Sequence, residues 1–175
     1  MLSVVALGDL PITNNLMLAP LAGYTTLPFR RCMREIGGFG LATTELVHAR
    51  SLLEGNRRAL ELVDTEPEDQ PLSVQLFGPV AEEVRDAALW LQERGVQAID
   101  VNMGCPVEKV IKIGAGAAML KDPMRTAEFV KTITRAVNIP VTVKTRLGWD
   151  GTQSQAVILA PLLEDVGVSG ITVHG

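Results

Sequence analysis

Short apolar runs alternate with helical patterns along the chain. The runs are bounded by Gly, Pro or polar residues, which is typical of buried strands in a parallel sheet. The six predicted strands are Leu16–Ala19, Leu41–Glu45, Leu72–Phe77, Ala98–Asn102, Val141–Thr145 and Gly170–His174. Strands that alternate with helices at a spacing of roughly 30 residues indicate βαβ units, and therefore a fold of the α/β class.

Capping and breaking residues mark the helices between these strands. The predicted helices are Leu27–Ile36 before Gly37-Gly38, a segment over about Ser51–Val63, one that opens with Glu82-Glu83, one capped by Asp122 and one over Ser154–Val166. The third has its apolar residues at i, i+3, i+4 and i+7, namely Val84, Ala87, Ala88 and Leu91. In the last, Pro161 removes a backbone donor and is expected to kink the helix.

The turn after the first strand distinguishes two architectures. A doubly wound dinucleotide fold carries a glycine fingerprint there, but this turn reads Ala19-Pro20-Leu21-Ala22-Gly23. A (β/α)8 TIM barrel is therefore favoured. Because a complete barrel has about 250 residues, residues 1–175 are expected to form an incomplete barrel with strands 1 to 6 and without strands 7 and 8.

Four polar residues lie near the predicted carboxyl ends of different strands. They are Gln75, Asn102, Lys144 and His174, and each shares its strand face with other polar residues. In barrels this end forms the mouth of the active site. A single polar residue at a strand end could simply have its hydrogen bonds satisfied by its neighbours. Four such residues on four different strands instead predict a functional site.

The chain has two cysteines, Cys32 and Cys105, in different settings. Cys32 falls on the apolar side of the first predicted helix and is expected to be a buried hydrophobe. Cys105 follows Asn102 by three residues and opens a loop that runs to Asp122. Ordered loops of about this length are usually functional, so Cys105 is the best candidate for a catalytic residue.

Composition narrows the class of protein. The residues are 47% hydrophobic, enough for one core, and the net charge of −4 argues against binding nucleic acid over the whole surface, although a local basic groove remains open. No apolar run approaches the roughly 18 residues of a membrane span. Without a Cys/His cluster or CxxC pair, neither a metal site nor a disulfide framework is expected, and a cytoplasmic location is the simplest interpretation.

Several motifs together resemble the flavin-dependent tRNA-dihydrouridine synthases. The matching segments are Ala19–Thr25 with Phe29-Arg30, Gln75–Gly78, Asp100–Pro106 with Lys109-Val110, Gly114–Ala118, Val143–Trp149 and Val173–Gly175. The cysteine segment together with Lys-x-Arg-x-Gly-Trp is the most specific part. The pattern is nearest to the bacterial B-type subgroup, of which this chain resembles the N-terminal barrel portion.

The resemblance implies an FMN-containing barrel that reduces particular uridines of tRNA, with NADPH or NADH restoring the flavin. From the matching motifs, the residues expected to contact the flavin are Pro20, Leu21, Ala22, Gln75, Lys144 and His174. Asn102 and Arg146 would hold the uracil, and Cys105 would donate a proton to C5 of the base. The family's helical C-terminal tRNA-binding domain is expected to be absent from residues 1–175.

The chemistry agrees with these roles. A fixed cation such as Lys144 stabilises the negative charge at N1 of reduced flavin, and an ordinary thiol is mostly protonated at neutral pH, as a general acid must be. Two alternatives remain open: another FMN-dependent barrel oxidoreductase, similar to dihydroorotate dehydrogenase, and an inactive half-barrel remnant. Open barrel edges also predict self-association.

Overall fold

A computed structural model describes residues 5–149 and 154–175. The strands are β1 (Val5–Leu7), β2 (Leu10–Ile12), β3 (Met17–Leu18), β4 (Leu41–Thr43), β5 (Val47–His48), β6 (Leu72–Phe77), β7 (Ala98–Met103), β8 (Val141–Arg146) and β9 (Gly170–His174). The α-helices are α1 (Leu27–Ile36), α2 (Ala49–Leu53), α3 (Arg57–Val63), α4 (Ala81–Gln92), α5 (Glu108–Ile111), α6 (Pro123–Thr134) and α7 (Gln155–Asp165). Short 3₁₀ helices span Pro67–Asp69 and Gly116–Lys121.

The main sheet is parallel and follows the order β3-β4-β6-β7-β8-β9. Each principal strand therefore pairs with the strand of the next βα unit along the chain, as in a TIM barrel. This confirms the predicted α/β class and the barrel-type architecture with six principal strands. All carboxyl ends of these strands meet at one edge, which brings the predicted site residues to the same side of the molecule.

One face of the sheet is apolar and packs under the helices. The outward side chains of β6, β7 and β8, including Val74, Ile99 and Val143, are fully buried. They join the buried faces of α4, α6 and α7 in a single hydrophobic cluster. On α4 the buried residues are those predicted from the spacing, Val84, Ala87, Ala88 and Leu91. The opposite, inner face of the same strands is polar.

Two features at the amino end of the chain differ from the sequence prediction. The first is an antiparallel β1–β2 hairpin, whose Leu7 and Ile12 pack with Leu41. The second is that the predicted strand Leu41–Glu45 ends at Thr43, as β4. After a break, a strand that was not predicted, β5, begins at Val47, and both β4 and β5 pair with β6. At the break the Thr44 hydroxyl accepts the backbone N–H of Gln75 at 3.1 Å, so a side chain replaces a ladder carbonyl.

The predicted helix over Ser51–Val63 was wrong in extent. It is two helices, α2 and α3, because Gly55 adopts φ +70° and Asn56 then caps α3 by accepting the N–H groups of Arg58 and Ala59. By contrast, the predicted cap of α6 is confirmed, since Asp122 accepts the Arg125 N–H at 3.0 Å.

One further expectation needs correction. Cys32 is exposed rather than buried, because α1 turns other residues, Arg30 above all, toward the protein. The last helix, α7, contains Pro161 in its interior, as predicted, and the side chain of Pro161 is exposed. Its buried residues, Ala156, Leu159 and Leu163, keep a regular helical spacing on the other side.

A buried ion pair anchors α1. Arg30 donates from Nε and Nη2 to the Asp69 carboxylate, at 2.9 and 2.7 Å to Oδ2, and both side chains are fully buried. The same guanidinium donates to the carbonyls of Thr25 and Asp64, each at 2.7 Å. One side chain thus ties the start of α1 to the segment between α3 and β6, and so fixes the β3–α1 loop above the sheet.

Removal of one partner should therefore be costly. We expect Asp69→Asn to lower the free energy of unfolding by about 3–5 kcal/mol, because Arg30 is left buried without a counter-charge. The measurement is urea unfolding followed by circular dichroism. The matched control is Arg57→Ala, which breaks a pair with Glu61 on a side chain that is 92% exposed and should cost at most about 1 kcal/mol.

The double variant Arg30→Met, Asp69→Leu should recover part of the loss, because no unpaired charge then remains buried. Recovery is incomplete because the Thr25 and Asp64 carbonyls lose their donor. Equal stability losses for Asp69→Asn and Arg57→Ala would contradict the anchoring role of this pair.

Candidate active site at the carboxyl ends of the strands

A row of polar side chains crosses the inner face of β6, β7 and β8. The sheet register places Gln75 beside Asp100, and Asp100 beside Thr142. The Asp100 carboxylate accepts Gln75 Nε2 at 2.6 Å on Oδ2 and Thr142 Oγ1 at 2.5 Å on Oδ1. Gln75 is 1% and Asp100 6% exposed, so the network is buried, and hydrogen bonds in such surroundings are stronger than in water.

Burial affects the ionisation of the carboxylate in this row. Desolvation raises the pKa of Asp100 above its ordinary value of 3.8, and hydrogen bonds from Gln75 and Thr142, together with the charge of Lys144, partly offset that effect. Lys144 comes from the next inward position of β8 after Thr142. The inner face therefore holds a cation and a carboxylate, each from a neighbouring strand.

The row continues to the predicted catalytic cysteine through Asn102. Asn102 Nδ2 donates to Gln75 Oε1 at 2.8 Å. Its Oδ1 accepts the backbone N–H of Cys105 at 3.0 Å and that of Gly104 at 3.3 Å. The amide thereby fixes the chain where it leaves β7, and Cys105 starts the loop half-buried.

The rest of the Cys105 loop folds back on the cysteine. The Ala117 N–H donates to the Cys105 carbonyl at 3.0 Å. Gly116 makes this closure possible: it has φ +59°, and a Cβ there would lie 2.6 Å from the Cys105 oxygen and 2.8 Å from Val110 Cγ1. The segment Gly114–Ala118 noted in the sequence thus packs against the backbone of Cys105, and Gly116 makes this close approach possible.

Arg146 also acts on this loop. Its Nε donates to the Gly104 carbonyl at 2.6 Å. The two remaining guanidinium nitrogens have no hydrogen bond to any residue of 5–149 or 154–175. Arg146 therefore holds the start of the loop with only part of its hydrogen-bonding capacity.

The β3–α1 loop carries Pro20, Leu21 and Ala22. Leu21 and Ala22 are exposed, and Pro20 is half-buried. The loop is held from below by Glu45, a side chain that is 6% exposed and whose Oε2 accepts the Gly23 N–H at 2.7 Å. Thr25 closes it locally, because its hydroxyl accepts the Leu21 N–H at 3.1 Å.

A cavity of about 170 Å³ lies between this loop and the inner face of the sheet. Pro20, Lys144, Asp100 and Thr172 are among its lining residues. His174 is exposed at the end of β9, in register with Arg146, and is not part of the hydrogen-bonded row. The structure thus brings Gln75, Asn102, Cys105 and Arg146 into one network, with Pro20 and Lys144 beside it.

Three residues that matter here were not predicted as site residues. Asp100 was named only as the first residue of the matching segment Asp100–Pro106, although a carboxylate between two apolar strand residues is an unusual sequence signal. Glu45 was placed at the end of a strand, and its bond to Gly23, 22 positions away, leaves no local pattern. Gly116 was visible only as part of a glycine-rich stretch.

The described residues hold neither a cluster of metal ligands nor a helix that could span a membrane. Within 5–149 and 154–175 no cluster of three or more His, Cys, Asp or Glu residues could hold a metal ion. Over the same residues, every helix is too short or too polar to cross a membrane.

Comparison with known proteins gives a consistent result. The family model of dihydrouridine synthase (Dus) matches residues 17–175. A tRNA-dihydrouridine synthase B of Pseudomonas aeruginosa is 40% identical over 174 residues, which are 99% of this chain and 52% of the relative. A protein of Synechocystis called probable tRNA-dihydrouridine synthase 1 is 37% identical over 169 residues, which are 97% of this chain and 47% of the relative. The chain spans about half the length of the curated relatives it matches.

The closure of the Cys105 loop can be tested with two glycines of positive φ. Gly114→Ala, at φ +84° with no atom near the new Cβ, should lower the free energy of unfolding by about 1–2 kcal/mol through backbone strain alone. Gly116→Ala should cost about 1–3 kcal/mol more, because the Cβ also overlaps Cys105 and Val110.

Urea unfolding measures both losses, and the rate of Cys105 alkylation by iodoacetamide, in a Cys32→Ala background, reports on the loop. Faster alkylation is expected for Gly116→Ala only. If the two variants behave alike, the contact between Gly116 and the cysteine backbone does not hold the loop.

Proposed function

The chain belongs to the dihydrouridine synthase family, and from that premise we propose that the protein reduces particular uridines of tRNA to 5,6-dihydrouridine. The proposed cofactor is FMN, with NADPH or NADH as reductant, and the reaction is then a cytoplasmic step of tRNA modification. One observation carries the proposal within the molecule: a half-buried thiol, Cys105, is held by Asn102 at the mouth of a polar barrel face that also presents Lys144.

The residues on this face fit the chemistry of a flavin ring. The pyrimidine part of the ring presents carbonyl oxygens and ring nitrogens, which accept hydrogen bonds, and Gln75 and Lys144 are donors. The cavity of about 170 Å³ is smaller than the roughly 300–1,000 Å³ of a typical small-molecule site. The described residues therefore supply one wall of the cofactor site, with Pro20, Leu21 and Ala22 at its edge and His174 near its end.

Bound FMN would supply the hydride that adds to C6 of the uracil. Lys144 then contributes a fixed positive charge beside the pyrimidine edge of the ring, which favours negative charge there. Cys105 delivers a proton from its thiol to C5, where negative charge develops as the hydride arrives. Hydride and proton together saturate the C5–C6 bond, and the cysteine regains its proton from water.

Asn102 and Arg146 are proposed to hold the uracil. Both already fix the backbone of the Cys105 loop: Asn102 accepts the N–H groups of Gly104 and Cys105, and Arg146 donates to the Gly104 carbonyl. Each has N–H groups left over that can meet the carbonyl oxygens of the base. The base and the proton donor are in this way located by the same two side chains.

A cleft beside the Cys105 loop offers a surface for the tRNA backbone. It has a volume of about 390 Å³ and carries the exposed side chains of Lys112, Lys121 and Arg125. Since a uridine must leave the base stack to reach a buried site, phosphates next to it have to be held near the mouth. Local positive charge can do so in a protein of net charge −4.

The function is tested with the intact protein, FMN, NADPH and tRNA transcripts that lack modified bases. The expected result is a mass gain of two hydrogen atoms on a uridine, detected by mass spectrometry of the nucleosides. Dihydroorotate oxidation without this product would instead indicate the other barrel oxidoreductase. A protein that stays colourless after FMN addition would indicate an inactive remnant.

Replacement of Cys105 separates its role from that of the flavin. Cys105→Ala should reduce dihydrouridine formation by about 10²- to 10⁴-fold, the usual contribution of a general acid. Bleaching of the flavin absorbance by NADPH should continue at the unchanged rate, because the thiol takes no part in it. Cys32→Ala, the exposed cysteine on α1, is the control and should behave as the wild type. Unchanged tRNA turnover in Cys105→Ala would exclude the acid role.

The basic cleft makes a separate prediction. Lys121→Ala and Arg125→Ala should each raise KM for tRNA, leave kcat and FMN affinity unchanged, and lower the salt dependence of tRNA binding by about one unit of slope. Arg57→Ala removes an exposed cation elsewhere and serves as the control. If all three variants share the wild-type KM, the phosphates lie on another surface.

A further inference from the structure

Asp100 has no part in the proposed chemistry, yet it is a buried member of the polar row. Its two oxygens accept hydrogen bonds from Gln75 and Thr142. Through Gln75 and Asn102 the row reaches the backbone of Cys105. A carboxylate in this place requires an explanation, because burying it carries a desolvation cost that an apolar residue would avoid.

The direction of every hydrogen bond in the row is fixed from the cysteine end. A backbone N–H can only donate, so Asn102 must turn its carbonyl oxygen toward Gly104 and Cys105. Its NH₂ group then faces Gln75, which must present its own carbonyl oxygen in return. The NH₂ group of Gln75 consequently points to position 100, and only an acceptor can satisfy it there.

The direction is also fixed from the other end. Oδ2 of Asp100 accepts from Gln75 at 2.6 Å and remains an acceptor whether the carboxyl is ionised or carries its proton on the other oxygen. A donor or an apolar group at position 100 would leave the Gln75 amide free to reverse. Because Asn102 follows Gln75, a reversal would remove the acceptor from the Cys105 N–H.

We propose that Asp100 is a positioning residue: as the terminal acceptor of the row Cys105–Asn102–Gln75–Asp100, it fixes the orientation of both amides. This inference rests on the proposed function for the identity of the ligands, but its effect on the Cys105 loop does not depend on a ligand. In the described part of the chain each amide is left with one unused N–H. Under the proposed function, those two N–H groups would be available to the carbonyl oxygens of the flavin and uracil rings.

Two substitutions at position 100 distinguish the acceptor from the charge. Asp100→Asn keeps an acceptor toward Gln75 and can place its NH₂ against the Thr142 hydroxyl, so both functions of the row are retained. Asp100→Leu has a similar volume but no acceptor. We expect wild-type FMN affinity for Asp100→Asn and about tenfold weaker FMN binding for Asp100→Leu, measured by quenching of FMN fluorescence on the apoprotein.

The second measurement needs no cofactor. In a Cys32→Ala background, alkylation of Cys105 by iodoacetamide should be roughly fivefold faster in Asp100→Leu and unchanged in Asp100→Asn. Thr134→Val provides the control for general loss of stability. It removes the 2.6 Å hydrogen bond from Thr134 to the Val166 carbonyl, between α6 and α7, and should alter neither readout.

An exchange variant tests the direction itself and remains informative if Asp100→Leu does not fold. In Gln75→Glu, Asp100→Asn the new amide at position 100 donates to the new carboxylate at position 75, which still accepts from Asn102. The Cys105 alkylation rate should then match the wild type. FMN should bind about tenfold more weakly, because position 75 presents only acceptors to the ring.

The outcomes separate this inference from the proposed function. If wild-type protein binds no FMN, the proposed function fails, and the alkylation rates alone decide the role of Asp100. Wild-type alkylation in Asp100→Leu, or an Asp100→Asn variant as impaired as Asp100→Leu, would overturn the inference. Fast alkylation in the exchange variant would also overturn it, because its Asn102 still has an acceptor at position 75.

Discussion

A buried polar group must find a hydrogen-bond partner, and this requirement organises the inner face of the sheet. The backbone N–H groups of Gly104 and Cys105 leave β7 without a strand partner, and Asn102 satisfies them. That single match determines which way Asn102 points, and each following side chain across β7 and β6 must then fit its neighbour. The side-chain amides in this row therefore have a single orientation. Catalysis requires preorganisation of this kind.

Two other buried groups hold the loops around this row. Arg30 binds the segment between α3 and β6 to the start of α1, and Glu45 binds Gly23 from below. Both act on the β3–α1 loop, on which the proposed flavin contacts Pro20, Leu21 and Ala22 lie. The mouth of the barrel is thus built from loops whose backbones are fastened to the framework by charged side chains.

The sequence predicted the parts of the molecule that follow a local period. The six principal strands, the buried face of α4 and the Asp122 cap were recoverable, because each depends on neighbours within a few residues. Cys32 was misjudged, since an apolar stripe gives no information about Arg30, which takes the buried position on α1 to meet Asp69. The break between β4 and β5 depends on a Thr44 hydroxyl bonded to Gln75, 31 positions away, and no local pattern reports such a bond. Among the candidate site residues, those at strand ends were identified by alternation, but their order of hydrogen bonding required the sheet register.

The sequential strand order has a consequence for biosynthesis. Since β6, β7 and β8 are consecutive in the chain and adjacent in the sheet, the row from Gln75 to Thr142 needs no residue beyond β8. A chain that folds from its amino end during translation can therefore assemble this framework before β9 leaves the ribosome. The backbone of Cys105 would then already be held by Asn102 and Ala117 while β9 is still being synthesised.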